Sequence, residues 1–386
     1  MTPLSDKILN SIHGYFTVGE EVYLNKMQAL DRATKTHKSV QWHLYDHAYS
    51  KIDWTIRPGG TLEQAYKERA QQIRDEYDYV VVHFSGGMDS WTALHSFLAN
   101  GIRVDEIYTR WARAERKFQD ATILNRDERN VGSEFEYAVL PVLEQIKKDY
   151  PEINIVIDDY SEDYGKEKTD SSILDSHHWQ AMSTTFRVDR KSEFERKAAK
   201  ANKKVGIVYG ADKICSLIDN GNFYAYFVDG YISGTDADPD RTFELFYWSP
   251  KAPHIPVLQA HCIKDFIVAG GDNLCNIGYR KIYLQSCYAN SNYNPDTFQT
   301  NKALGSLISR SEIWVMKYNR RFYESWKWAN LPYFNSIDQT FVSKFQNTDL
   351  TVGLKKGNSQ FYLIESGVPL QDTNFGLKAM LTPFKK

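Results

Sequence analysis

Tyr79-Val80-Val81-Val82-His83-Phe84-Ser85-Gly86-Gly87-Met88-Asp89-Ser90 changes periodicity across a pair of glycines. The run Tyr79 to Phe84 is short, rich in β-branched residues and nearly continuous, which predicts a strand buried on both faces. From Met88 to Asn100 the apolar residues return at helical spacing, and Gly101 closes the segment. Two glycines between strand and helix allow a tight turn and close backbone approach, so successive N–H groups can form an anion-binding nest. The helix N-terminus behind them adds N–H donors and partial positive charge. Ser85 and Ser90 bring hydroxyl donors, and Asp89 brings a carboxylate able to hold Mg²⁺ against phosphate oxygens. For the six-residue string alone, a flexible connector with Asp89-Ser90 capping a helix is the competing reading. The strand before and the helix after favour phosphate.

Upstream, Leu62, Ala65, Tyr66, Ala70, Ile73 and Tyr77 share one face of an amphipathic helix, with Pro58-Gly59-Gly60 as breaker and Thr61 as N-cap. Downstream the alternation continues. A second strand is expected over 103–109, a helix over 133–148, and a third strand over 153–157 ending at Asp158-Asp159. A helix over 192–202 then leads to a fourth strand, 205–209, that runs into Gly210-Ala211-Asp212-Lys213. Strands separated by helices imply parallel pairing with right-handed crossovers, hence an open, mostly parallel, Rossmann-like α/β sheet. Ligands on such sheets sit beyond the carboxyl ends of the strands. Past about Phe223 the character changes, with strands over 223–232 and 243–248 reading as a hairpin around the turn-rich stretch 234–241. Helices are expected over 256–269 and 302–329. Residues 1–60 read as an irregular, mostly helical extension.

The chain has 386 residues, 42% hydrophobic and 25% charged, which is the balance of a globular protein with a sizeable core. Its 47 Lys and Arg against 49 Asp and Glu leave a net charge of −2, which argues against a surface built wholly for nucleic acid. No apolar run approaches the ~18–20 residues that cross a bilayer, and Met1 to Asp6 has no secretory pattern. Cys215, Cys262, Cys275 and Cys287 contain no CxxC pair, so neither zinc nor a disulfide framework is expected. Reduced thiols in a cytoplasmic protein are the expectation.

The Ser85 to Ser90 loop, between strand and helix, resembles the PP-loop of the ATP-pyrophosphatase superfamily (adenine-nucleotide α-hydrolase-like). Asparagine, GMP and NAD synthetases and tRNA-modifying enzymes belong to that superfamily. The resemblance is closest over residues 78–101 and looser to about 213. The whole chain, with its Phe246-Tyr247-Trp248-Ser249-Pro250 run, also resembles uncharacterised PP-loop proteins of viral genomes, which supplies no activity.

The pattern divides the chain into a mostly helical N-terminal extension (1–75), an α/β domain (76–230) that the resemblance makes a PP-loop ATP-binding domain, and an α+β C-terminal substrate or partner region (231–386). The resemblance also implies ATP and Mg²⁺ as ligands. Ser85, Gly86, Gly87, Met88, Asp89 and Ser90 would grip the β,γ-pyrophosphate, and Tyr108 and Arg110 with Gly210 would line the nucleotide at the second and fourth strand ends. Asp89, Asp212 and Lys213 carry the catalytic assignments, with Asp89 and Asp212 on the metal and Lys213 facing charge on the leaving pyrophosphate. For Asp212-Lys213 a solvated turn is the competing reading, and for Asp158-Asp159 a cap or turn.

Weaker signals have blander readings. Asp175-Ser176-His177-His178 could belong to a substrate site, but adjacent histidines on a regular element diverge and rarely share a metal. Gln259 and His261 are candidate substrate contacts, with core or cap duty as the alternative. The helix over 302–329 carries Arg310, Lys317, Arg320, Arg321 and Lys327 among aromatics, a pattern of strand-binding surfaces but also of ordinary solvated faces.

Subtraction within the superfamily narrows the reaction. Thr2 stands where a glutaminase would place its nucleophilic cysteine, and paired or clustered cysteines for sulfur transfer or zinc are missing. The expectation is an ATP-dependent ligase that adenylates a carboxylate or amide-type oxygen, releases pyrophosphate and forms a C–N bond. Its partners would be a small-molecule acceptor and an amine donor. A nucleobase- or tRNA-modifying enzyme and a nucleotide-binding module without turnover are the alternatives.

Overall fold

The computed structural model describes residues 6–9, 11–12, 14–24, 26–38, 40–111, 139–159, 191–210, 214–227, 240–270 and 361–369. The expectations placed on Asp212, Lys213, 175–178 and 302–329 lie outside the described residues.

The N-terminal part runs α1 (Asp6–Leu9), β1 (Tyr15–Val18), β2 (Glu21–Tyr23), α2 (Lys26–Thr36), β3 (Val40–His43) and α3 (Asp46–Tyr49). Its strands form an antiparallel sheet in the order β2-β1-β3, which the sequence pattern had not suggested. Each strand is only three or four residues long, too short for a period-two signal to stand out.

The central part begins with α4 (Leu62–Glu76), where Thr61 Oγ1 accepts the Gln64 N–H at 3.2 Å as the N-cap. Leu62, Ala65, Tyr66, Arg69, Ala70 and Ile73 form its buried stripe. A fully buried Ile73 contributes roughly 1.5–3 kcal/mol by burial alone, so Ile73→Asp would detach this helix from the sheet. Next come β4 (Tyr79–His83), α5 (Met88–Leu98), β5 (Glu106–Trp111), α6 (Leu140–Asp149), β6 (Asn154–Asp159), α7 (Glu193–Lys200) and β7 (Val205–Tyr209). Ser192 caps α7 through a full capping box with Glu195. The remaining elements are β8 (Cys215–Asp219), β9 (Asn222–Tyr226), β10 (Arg241–Leu245), α8 (His254–Gly270) and β11 (Phe361–Ser366).

β4, β5, β6, β7 and β10 build one five-stranded sheet in the order β10-β7-β4-β5-β6, with every pairing parallel. The fold is therefore α/β. Val80, Val81 and Val82 are wholly buried, as the continuous apolar run predicts. Arg69 of α4 reaches Glu244 of β10 at 2.6 Å, placing α4 over one face. Burial pushes the Glu244 carboxyl up, but Arg69 and Lys251 overcome this and hold it below the ordinary carboxylate range. On the other face α7 is tied down by Ser192 Oγ to Glu106 at 2.8 Å and by Arg241 to Glu195 at 2.6 Å.

Among the described residues, the arms of the hairpin expected between 223–232 and 243–248 do not pair with each other. β9 instead pairs with β8 through the turn Asn220-Gly221, both at positive φ (51° and 70°), and β10 joins the parallel sheet beside β7. That Asn-Gly pair is the turn chemistry of a two-residue hairpin. The sheet thus takes a strand from beyond residue 230, where the sequence pattern changes.

Candidate functional site

Strand order fixes where a ligand can enter. From β4 the chain steps outward to β5 and β6, then returns across the sheet to β7 and β10. The carboxyl ends of β4 and β7, the two neighbours at which the strand order turns back, therefore mark the crevice where a ligand would enter. Such switch points are the usual ligand sites of open α/β sheets.

The loop after β4 is Phe84 to Gly87. Gly86 has φ +74°, a conformation that side chains resist, and a Cβ there would strike the Val139 side chain. Gly87 is the N-cap of α5 and makes no side-chain cap hydrogen bond. The first-turn N–H groups of an 11-residue helix thus meet the crevice without the oxygen that usually caps them. Ser85 is exposed, Gly86 and Gly87 are buried, and Asp89 is half-buried. Ser90 is turned inward, being 5% exposed. Its hydroxyl accepts the Ser85 N–H at 3.1 Å and donates to the Gly87 carbonyl at 3.0 Å. Its hydroxyl thus laces the loop, and its backbone N–H remains the group suited to an anion.

The other wall begins at Gly210. A Cβ on it would lie 2.7 Å from both the Asp89 carbonyl oxygen and the Ser90 Cα. Backbone meets backbone here, so this position serves close approach as well as ligand access.

Across the strand ends runs an aromatic row on one face. Phe243 stacks on Tyr209 at 5.8 Å, Tyr209 meets His83 at 4.5 Å, and His83 stacks on Tyr108 at 4.9 Å. Burial, then the nearby positive charges of Arg110 and Arg241, push the His83 imidazole down to about 3, so it is neutral near pH 7. The Tyr108 hydroxyl donates to Asp158 at 2.6 Å, and burial followed by this partner raises the phenol well above its ordinary value. Arg110 Nε lies 3.8 Å from the same Asp158 oxygen. Asp158 is therefore the member of the Asp158-Asp159 pair that joins Tyr108 and Arg110. His83 and Tyr209 escaped the sequence reading because they sit inside apolar strands. The signal that could have found them is register, since both end parallel neighbours.

No family model and no curated protein matches this chain.

The donor set fits a polyphosphate: a positive-φ glycine, an uncapped helix N-terminus and an exposed serine. Asp89 fits the single carboxylate by which Mg²⁺ is commonly held when phosphate oxygens fill its other positions. Among the described residues no group of three or more His, Cys, Asp or Glu gathers as a metal cage. Gln259 and His261, candidate substrate contacts by sequence, are engaged inside the core. Gln259 bonds Tyr66 at 2.8 Å, and His261 bonds the Trp54 carbonyl at 2.9 Å. No helix among the described residues is long and apolar enough to cross a membrane.

Proposed function

We propose that the chain is a PP-loop-type adenylating ligase, binding ATP at the crevice between the β4 and β7 loops. The observation that carries this reading is the glycine turn and uncapped α5 N-terminus lying at the switch point of a parallel sheet ordered β10-β7-β4-β5-β6. The backbone N–H groups of Gly87 to Ser90 would hold the β- and γ-phosphates, leaving the α-phosphorus towards the strand ends. Tyr108, Arg110 and Asp158 would line the nucleoside side, as their cluster closes that end of the sheet.

A carboxylate or amide-type oxygen of the acceptor attacks the α-phosphorus, and the bond from that phosphorus to the bridging oxygen breaks. Pyrophosphate leaves with the bonding electron pair. An amine then attacks the adenylated carbon, forms the C–N bond, displaces AMP and gives up its proton. The N–H donors of α5 stabilise charge growing on the departing pyrophosphate, where preorganised dipoles are most effective. Mg²⁺, when bound, would be held by Asp89 and would neutralise phosphate charge. Lys213 and Asp212, outside the described residues, keep their assignments to the leaving group and the metal as part of this proposal.

The basic helix that motivates a nucleic-acid reading lies outside the described residues, so no structural observation favours it. A crystal structure with ATP and Mg²⁺ tests the placement. Phosphates on Ser85 to Ser90 are expected; nucleotide bound elsewhere with that loop empty would contradict it.

A further inference from the structure

We infer that Tyr247 is a positioning residue for the phosphate loop; this rests on reading the crevice as a polyphosphate site. The Tyr247 hydroxyl donates to the Asp89 carbonyl at 2.8 Å, although 158 residues separate the two in sequence. That carbonyl lies in the first turn of α5, where helical geometry already gives it an acceptor role. The same peptide unit carries the N–H of Ser90, the third helical residue. The first N–H groups of a helix have no intrahelical acceptor, so this one can point to an anion. A hydrogen bond taken by a peptide oxygen polarises the unit and strengthens donation from its N–H. Tyr247 therefore acts on the crevice in two ways. It makes the Ser90 N–H a stronger donor, and it fixes the peptide from which the Asp89 side chain projects.

The surroundings hold that hydroxyl in place. The Tyr247 ring packs edge-on against Tyr66 at 5.6 Å and against Phe246 at 5.1 Å. Phe246 is fixed by its N–H to the Tyr209 carbonyl at 2.9 Å and by its own carbonyl, which accepts from Arg69 at 3.3 Å. Tyr66 serves the second wall too. Its hydroxyl accepts from Gln259, whose amide oxygen takes the Ile214 N–H at 3.5 Å, where the loop after β7 re-enters the described structure. One α4 tyrosine thus backs both sides of the crevice. A phenylalanine at 247 would fill the same space, so what the hydroxyl adds is directed at the loop.

Titration calorimetry of Tyr247→Phe with Mg²⁺–pyrophosphate, Mg²⁺–ATP and adenosine tests this. The first two affinities should fall about 3- to 10-fold, the worth of one hydrogen bond, with adenosine affinity and melting temperature nearly unchanged. Equal loss for all three ligands would reduce Tyr247 to general packing and overturn the inference. Unchanged pyrophosphate affinity in a folded variant would overturn it while leaving the crevice reading intact. Wild-type protein that binds neither phosphate ligand would remove the crevice reading and this inference together. Should Tyr247→Phe fail to fold, 3-fluorotyrosine at 247 keeps ring and hydroxyl but makes the phenol a stronger donor. Tighter pyrophosphate binding then supports the inference, and unchanged or weaker binding overturns it.

Discussion

Gly210 and Asp89 face each other with no room for a side chain: a methyl on the Gly210 Cα would stand 2.7 Å from the Asp89 carbonyl oxygen. The contact joins the segments after β7 and β4 at the point where the strand order turns back. The approach of these two backbones depends on Gly210 having no side chain.

Gly210→Ala should therefore push the two loops apart. Overpacking of this kind typically costs about 1–3 kcal/mol. The denaturation midpoint should fall accordingly, and Mg²⁺–ATP affinity should fall with it, because the α5 N-terminus moves. Chemical denaturation and calorimetry on the same variant check both. An alanine variant as stable as the parent would mean the loops can separate freely.

Asp89→Ala should remove turnover and leave the fold. Asp89 is half-buried in the first turn of α5 and is not part of the hydrophobic core. Loss of a metal-holding carboxylate removes several kcal/mol of transition-state stabilisation, about a thousandfold in rate or more. Pyrophosphate release under saturating substrates, beside a thermal melt, measures the two effects separately. A folded variant with near-parental turnover would remove Asp89 from the metal.

The parallel core was legible because its physics is local and repetitive. Val80 to Val82 had to be a buried strand, and 205–209 was placed on the same grounds that the structure bears out. The sequence places the fifth strand at 243–248 with Arg241 in the preceding turn, whereas β10 is Arg241–Leu245, because charged Arg241 and Glu244 read locally as exposed. Those charges are buried only because Glu195 and Arg69, 46 and 175 residues away, meet them. No local pattern reveals such a pairing. The turn Asn220-Gly221 is different, because an Asn-Gly pair is a local hairpin signal that the sequence itself carries. At the site, the glycine loop announced itself, whereas Tyr247 lay in an aromatic run whose use depends on tertiary contact with Asp89.

His83 and His95 give the protein an acid-side instability. Burial is the main cause for both, and it lowers them to about 3 and about 4 respectively. In the unfolded chain they take up protons near pH 6.5. Between that value and their folded values the unfolded state binds more protons, so stability rises with pH there and is lost as pH falls. Urea unfolding at pH 7 and at pH 5 should show a lower stability at pH 5. NMR titration of the two rings should find both neutral at pH 5, and a ring that protonates near 6.5 in the folded protein would contradict the assignment.

The bond broken in ATP tests the central claim most directly. With ATP labelled at the α-phosphate, Mg²⁺ and pools of carboxylic acids, amines and nucleosides, the label should appear in AMP. It should do so only when an acceptor is present, since the α-phosphorus needs a nucleophile held in line. The unlabelled product should be pyrophosphate, since in the proposed site α5 and its loop would hold the β- and γ-phosphates. Acceptor-stimulated, α-labelled AMP is the predicted result; labelled ADP as the sole product would contradict the account.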